Sequence, residues 1–229
     1  MISIVIPTLN AEATLADALT ALIPAVVEGL VREVIIVDGG STDRTLRIAD
    51  ASGATILKSA AGRGTQLAAG AGEARGAWLL FVHADTVLDA GWVRDAAHLV
   101  ERVDAGKWPA TAAAFRFALD DMGAMPRIVE AGVGLRSHVL KLPYGDQGLL
   151  IPRALYDEIG GYRPLPLMED VDIVRRLGRR RMRMLRTSAV TSAVRFQRDG
   201  YVIRVLRNLT CLLLYSLGAP AAWVKRVYG

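Results

Sequence analysis

An α/β fold built on a mostly parallel, twisted sheet with helices on both faces is what this chain predicts, from three observations. Short apolar runs alternate with helical patterns through the first half. The runs are apolar almost without interruption, and each is bounded by Gly, Pro, Asn or Asp. Unbroken apolar runs suit strands covered on both faces, and strand–helix alternation calls for parallel strands joined by right-handed crossovers. The chain has 229 residues, 52% hydrophobic and 22% charged, which suits one domain with a sizeable core and not a disordered chain. The expected division is a domain over residues 1–200 and a C-terminal helical extension over residues 201–229, packed on the domain, a dimer partner or a membrane surface.

The expected strands of the first half are Ile2–Pro7, Glu33–Gly40, Ala54–Ser59 and Ala77–Asp85, rich in branched or aromatic side chains. The helices expected between them are Ala11–Val27, Asp43–Ala51 and Gly64–Arg75. Ser41 or Thr42 is a candidate cap for the second, and Gly53 and Gly76 are candidate stops for the second and third. The second half is less regular. Thr111–Leu119 reads as a strand, Met125–Leu140 as a helix, and Gly148–Tyr162 as strand, turn and helix. "MEDVDIVRRLGRR" starts a further helix. Tyr201–Tyr228 is an apolar helical pattern broken near Gly218 and Pro220. Its uncharged stretch, Asn208–Val224, falls short of the ~20 residues a membrane span needs.

Net charge is +5, which points to anionic partners such as phosphorylated ligands or lipid headgroups. Much of the excess lies in Arg175–Arg186. That run reads either as a solvated helix face and turn or as a contact for phosphate or an anionic membrane. Nucleic acid is not expected, because no aromatic platform accompanies the arginines. The single cysteine, Cys211, excludes an internal disulfide and a thiolate zinc cluster. "MISIVIPTLN" reads as a first strand, not a signal peptide, so the expected location is the cytoplasm, with the inner face of the membrane as the site of any attachment.

In a parallel sheet, ligands bind beyond the carboxyl ends of the strands. Thr8, Asn10, Asp38, His83 and Asp85 all fall there. His83 and Asp85 read equally as metal ligands, sugar contacts or the polar edge of a sheet. In "LMEDVDI", Asp170 and Asp172 read as a charged helix start.

"SIVIPTLN", "EVIIVDGGSTDRT", "GRGTQLAAGAGEARGAWLLFVHADT" and "MEDVDI", in that order over residues 1–185, resemble the family 2 glycosyltransferases. The resemblance implies the GT-A fold. The later "GYRPLPLMEDVDIVRRL" and "LLYSLGAP" are similar to a short bacterial subgroup named for arsenosugar biosynthesis. It implies an inverting transferase that moves a sugar from a nucleotide sugar, of the UDP type, to an unidentified hydroxyl acceptor, with Mn2+ or Mg2+ assisting diphosphate departure. By that resemblance Pro7, Thr8, Asp38 and Arg63 hold the nucleotide, and Asp85 binds the metal. His83 replaces the first carboxylate of the family's Asp-x-Asp, where it contacts ribose, ligates the metal, or does neither. Asp170 is the implied base, with Glu169 positioning acceptor or base, and Asp146 and Gln147 are candidate sugar or acceptor contacts. Two other readings stay open: a catalytically altered nucleotide-binding relative and a sugar-phosphate nucleotidyltransferase. "PTLNAEAT" lacks the basic triphosphate loop the second would need. A homodimer and peripheral membrane contact are further candidate partners.

Overall fold

The computed structural model describes residues 1–228, the side chain of Leu140 excepted; Gly229, the end of the expected extension, lies outside them. Strand β1 (Ile2–Thr8) leads through short helices α1 (Leu15–Thr20) and α2 (Ile23–Val27) to β2 (Val31–Asp38). Helix α3 (Thr45–Ala51), β3 (Thr55–Lys58), α4 (Arg63–Glu73) and β4 (Trp78–Phe81) follow. After a tight turn come β5 (Thr86–Leu88), α5 (Trp92–Asp104), β6 (Ala112–Leu119) and α6 (Ala124–Leu135). Then come β7 (Leu149–Pro152), α7 (Arg153–Glu158), α8 (Glu169–Leu177), β8 (Met182–Thr191), α9 (Val194–Asp199), α10 (Tyr201–Ser216) and α11 (Ala221–Tyr228).

Among the described residues, eight strands form one sheet in the order β3-β2-β1-β4-β7-β6-β8-β5. The first four pair in parallel; β7 enters antiparallel between β4 and β6, while β6 and β8 pair in parallel and β5 closes the edge antiparallel to β8. Both faces are covered, as the unbroken apolar runs require. On β1, Ile2, Ile4 and Ile6 face a core shared with Leu15, Trp92 and Leu99. Val5 faces the opposite core, shared with Leu67, Leu155 and Ile173. The period-two alternation thus splits a single apolar run between two layers of helices. Trp92 is fully buried, and its indole N–H donates to the Ala21 carbonyl at 2.9 Å, which ties α5 to the turn between α1 and α2.

Five local expectations are corrected. Ala11–Val27 is two short helices, because Pro24 starts a new helical turn in α2 and has no N–H to continue the first. The fourth strand ends at Phe81, so His83, Ala84 and Asp85 lie in the turn between β4 and β5. The arginine run Arg175–Arg186, expected as a helix face and turn or an anion contact, divides among the end of α8, a 3-10 turn over Arg179–Arg181, and the first half of β8. Its side chains are largely structural. Arg176 binds Asp172 at 2.6 Å and the Gly161 carbonyl at 2.7 Å, Arg181 binds Glu158 at 2.7 Å, and Arg183 lies over the Trp108 ring at 4.1 Å.

The third helix also ends before its expected stop, at Glu73 and not at Gly76. The second helix is capped from Asp43, whose carboxylate accepts the Thr45 N–H at 2.9 Å, and not from Ser41 or Thr42.

Helix α4 sits unusually close to the sheet. A Cβ on Gly70 would lie 2.4 Å from Val5 Cγ1 and 2.8 Å from Val37 Cγ2, so only a bare backbone fits. Overpacking there costs about 1–3 kcal/mol, more than the roughly 1 kcal/mol Ala gains over Gly in a helix. Gly70→Ala is therefore expected to lower Tm by about 2–4 °C in thermal denaturation, although Ala is the better helix former.

Candidate active site

The order β3-β2-β1-β4 means the chain winds outward one way from β1 and returns on its other side as β4. At such a switch point the crossovers diverge and leave a crevice beyond the strand ends. Thr8 and Asp38 close β1 and β2 as register partners, and the His83–Asp85 turn follows β4 beside them.

Asp38 is buried, and its carboxylate is already occupied. It accepts from Thr8 Oγ1 at 3.1 Å, from the N–H groups of Gly40 and Ser41 at 2.9 and 2.8 Å, and from the Ser41 hydroxyl. Burial pushes this carboxyl up, but the hydrogen bonds from Ser41, Gly40 and Thr8 outweigh it and hold it below the usual carboxylate value. Four donors fill the acceptor positions of a carboxylate. Asp38 therefore lies beneath the crevice and shapes its floor, while Pro7, Thr8, Asn10, Gly62, Arg63 and Gln66 line it. Gln66 was not foreseen. It is buried, and its amide donates to the carbonyls of Thr8 at 2.8 Å and Val37 at 2.7 Å, fastening α4 to the ends of β1 and β2.

A second cavity adjoins the first. Arg63, His83, Asp85, Ser192 and Arg195 line both, and the second is completed by Tyr144, Asp146, Glu169 and Asp170 with Arg204, Asn208 and Tyr228 from α10 and α11. Helix α8 delivers Glu169 and Asp170 as its first two residues. Met168 before them is in the left-handed region at φ 66°, a strained conformation for a residue with a side chain, and it turns both carboxyls inward. The Gly145 N–H donates to Asp170 Oδ2 at 2.7 Å. A Cβ at Gly145 would lie 2.7 Å from His83 Nε2 and 3.4 Å from Asp170 Oδ2, so this glycine is wedged between the two side chains.

The charges are strongly coupled. Glu169 is buried and faces Arg63 across 3.4 Å. Burial, then the neighbouring Asp170, push its carboxyl up to about 7 in spite of Arg63. Burial, then Arg63, pull the His83 imidazole down to about 4 against Asp85 and Asp170, so the ring is neutral at physiological pH. Burial also raises Asp146 to about 6, Arg136 opposing and Asp170 and Asp85 adding. Asp146 Oδ1 is buried without a hydrogen-bond partner among the described residues.

The structure thus brings Pro7, Thr8, Arg63, His83, Asp85, Asp146, Glu169 and Asp170 to one continuous cleft. It separates Gln147 from its neighbour Asp146. Gln147 is buried in packing, donating to the Phe115 carbonyl at 3.0 Å and accepting from Ser137 at 3.0 Å. A carbonyl–hydroxyl pair of this kind depends on chain segments far apart in sequence, so adjacency to Asp146 misled. Arg195, Arg204 and Tyr228 are cleft residues without a sequence mark: "SAVRFQRDGY" offers no spacing that singles out Arg195, and Arg204 and Tyr228 lie inside the apolar helical pattern of residues 201–228.

Glu169 keeps its proton in the folded chain at pH values where an unfolded glutamate has lost it. Its contribution to stability is complete below pH 4.5 and is lost as pH rises through about 7. Thermal denaturation across that range is expected to show a fall in Tm for the wild type that Glu169→Gln flattens. Parallel curves would refute the assignment.

Comparison with known proteins agrees with this geometry. The family model "Glycosyl transferase family 2" matches residues 3–122. A glucosyl-3-phosphoglycerate synthase of Mycobacterium tuberculosis is 48% identical over 56 residues, 24% of this chain and only 17% of that protein. Among solved structures, residues 1–349 of TarS from S. aureus superpose with TM-score 0.66 at 17% identity, covering 99% of this chain and 69% of that one. The M. tuberculosis glucosyl-3-phosphoglycerate synthase in complex with Mn2+, UDP and glucosyl-3-phosphoglycerate superposes with TM-score 0.60 at 22% identity, covering 96% of this chain and 81% of that one. With the matched segment running from β1 past the His83–Asp85 turn and the sheet shared with these GT-A structures, the chain belongs to glycosyl transferase family 2.

Proposed function

We propose that the chain transfers a glycosyl group from a UDP-type nucleotide sugar to a hydroxyl acceptor, with inversion at the anomeric carbon. The observation that carries this reading is the shared wall. The Pro7–Thr8–Arg63 crevice and the Asp146–Asp170 cavity meet at His83, Asp85, Ser192 and Arg195, so a donor in the first presents its sugar to the second. Structural neighbours hold UDP with Mn2+ or Mg2+, and TarS holds UDP-GlcNAc, which supports a donor of this kind.

The residues at the wall fit a hard divalent cation. Asp85 and Asp146 line one cavity, and the partnerless Asp146 oxygen is an acceptor that a cation would satisfy. Among the described residues no group of three His, Cys, Asp or Glu forms a ready cage. That suits Mn2+ or Mg2+, which keep waters and take phosphate oxygens beside one or two carboxylates. Asp85 and Asp146 would hold the ion, and neutral His83 would offer nitrogen to it or to a ribose hydroxyl. Once bound, the cation supplies compensation for the charge that collects on a departing diphosphate. Arg63 and Arg195 add fixed positive charge on the same wall.

Asp170 acts as the base that takes the acceptor proton. The N–H groups of Gly145 and Val171, each at 2.7 Å, orient its two oxygens, and it opens on the cavity. Glu169 is committed to Arg63 and positions that guanidinium. Asp38, with its acceptor positions filled, holds the Thr8 and Ser41 loops against which the nucleoside lies.

Donor hydrolysis over a panel of nucleotide sugars with Mn2+ or Mg2+, paired with calorimetric UDP binding, tests the scheme. Asp170→Asn is expected to keep UDP affinity and lose about 10²–10⁴-fold in transfer rate. Asp85→Asn is expected to weaken metal-dependent UDP binding about tenfold or more. Full transfer by Asp170→Asn would remove Asp170 as base. Metal-independent UDP binding without donor turnover would replace transfer by nucleotide binding alone.

A further inference from the structure

Helices α6, α10 and α11 present a surface that the transfer chemistry does not use. The outward side of α10, with its C-cap Leu217, is Val202, Ile203, Leu206, Leu209 and Leu213, each more than half exposed and spaced to one helical side. The helix has 16 residues, about 24 Å of length. α6 packs beside it through Val129 and Val133 against Tyr201 and Val205, and adds exposed Met125, Ile128 and Leu135. α11 adds Trp223 and Val227, 65% and 45% exposed. Single exposed apolar side chains are ordinary, whereas a contiguous patch of this extent marks an interaction surface.

We infer that this face rests on an anionic lipid bilayer, with α10 and α11 lying in the plane of the interface. Charge decides between a bilayer and a second copy of the chain. Between Gly200 and Gly229 there is no Asp or Glu, while Arg204, Arg207, Lys225 and Arg226 are present. Asp199 pairs with Arg204 and Arg207, at 3.1 and 3.4 Å, but Arg226 is exposed one helical turn from Trp223, and Lys225 is exposed on the side toward the nucleotide crevice. A two-fold interface would set these like-charged helices against each other with no carboxylate of the segment to pair them. Anionic headgroups provide the missing counter-charge, and an exposed tryptophan beside cations suits the headgroup level. Among the described residues no helix is long and apolar enough to cross a membrane, so the contact is with the surface. The same two helices carry Arg204, Asn208 and Tyr228 on the cavity wall and Lys225 on the nucleotide crevice. Attachment therefore sets the cleft beside the headgroup layer.

Co-sedimentation of the full chain with phosphatidylcholine vesicles, with and without phosphatidylglycerol, tests this. Binding is expected to be about tenfold stronger to the anionic vesicles and to weaken with salt. Leu206→Ser with Leu213→Ser should lower it about tenfold or more, and Arg226→Gln about fivefold. These side chains are exposed, so unchanged circular dichroism is expected to show the variants folded. Trp223 emission should shift to the blue on binding, a change absent in Trp223→Phe. Failure to bind either vesicle overturns the inference. So does a dimer in sedimentation equilibrium that Leu206→Ser with Leu213→Ser converts to monomer. The assay reads no turnover, so its failure leaves the transfer reaction standing.

Discussion

The reversal of winding between β1 and β4 is the constraint on which the rest of the structure depends. Parallel strands need crossovers, and crossovers leaving a strand on opposite sides must part at its carboxyl end. The strand ends there carry backbone and side-chain polar groups that the regular ladder does not fully pair, and polar side chains gather around them. Asp38 collects Thr8, Gly40 and Ser41, and Gln66 reaches the buried carbonyls of Thr8 and Val37. The floor is rigid because each of these groups has a partner.

Above that floor the electrostatics are arranged differently. Arg63 stands among Glu169, Asp170 and Asp85, and the surroundings push neighbouring groups in opposite directions: Glu169 up to about 7 and His83 down to about 4. Burial disfavours the charged form of both. Together with the left-handed Met168 and the partnerless oxygen of Asp146, these are local costs to stability concentrated at one place. Such costs gather where a ligand completes the site.

The C-terminal helices belong to this site as much as to the surface. Leu167, Met168 and Val171 at the start of α8 share a small core with Cys211 and Val224, so α10 and α11 brace the residues that carry Glu169 and Asp170. Tyr228 reaches the cavity and bonds Arg204, which Asp199 in turn holds. One side of the helix pair therefore supports the carboxylates, and the other leaves its apolar stripe uncovered.

The sequence by itself determined the first half of the sheet, because buried parallel strands must be continuously apolar and local chemistry punctuates them. It also set Thr8, His83 and Asp85 at or beyond the strand ends, while Asp170, at the start of a helix, was marked through the resemblance of its motif to the family. Only the tertiary structure decided the rest. β8 is hidden because Arg183 and Arg186 break its apolar pattern, and its strand character comes from pairing with β6 and β5. Gln66, Arg195 and Tyr228 carry no local signature, since each acts through a partner far away in the chain. Asp146 and Gln147 make the point most clearly. Neighbours in sequence, they face opposite ways, one into the cleft and one into packing around Phe115. Side-chain direction at a turn is set by what packs on either side, and that is information no single segment holds.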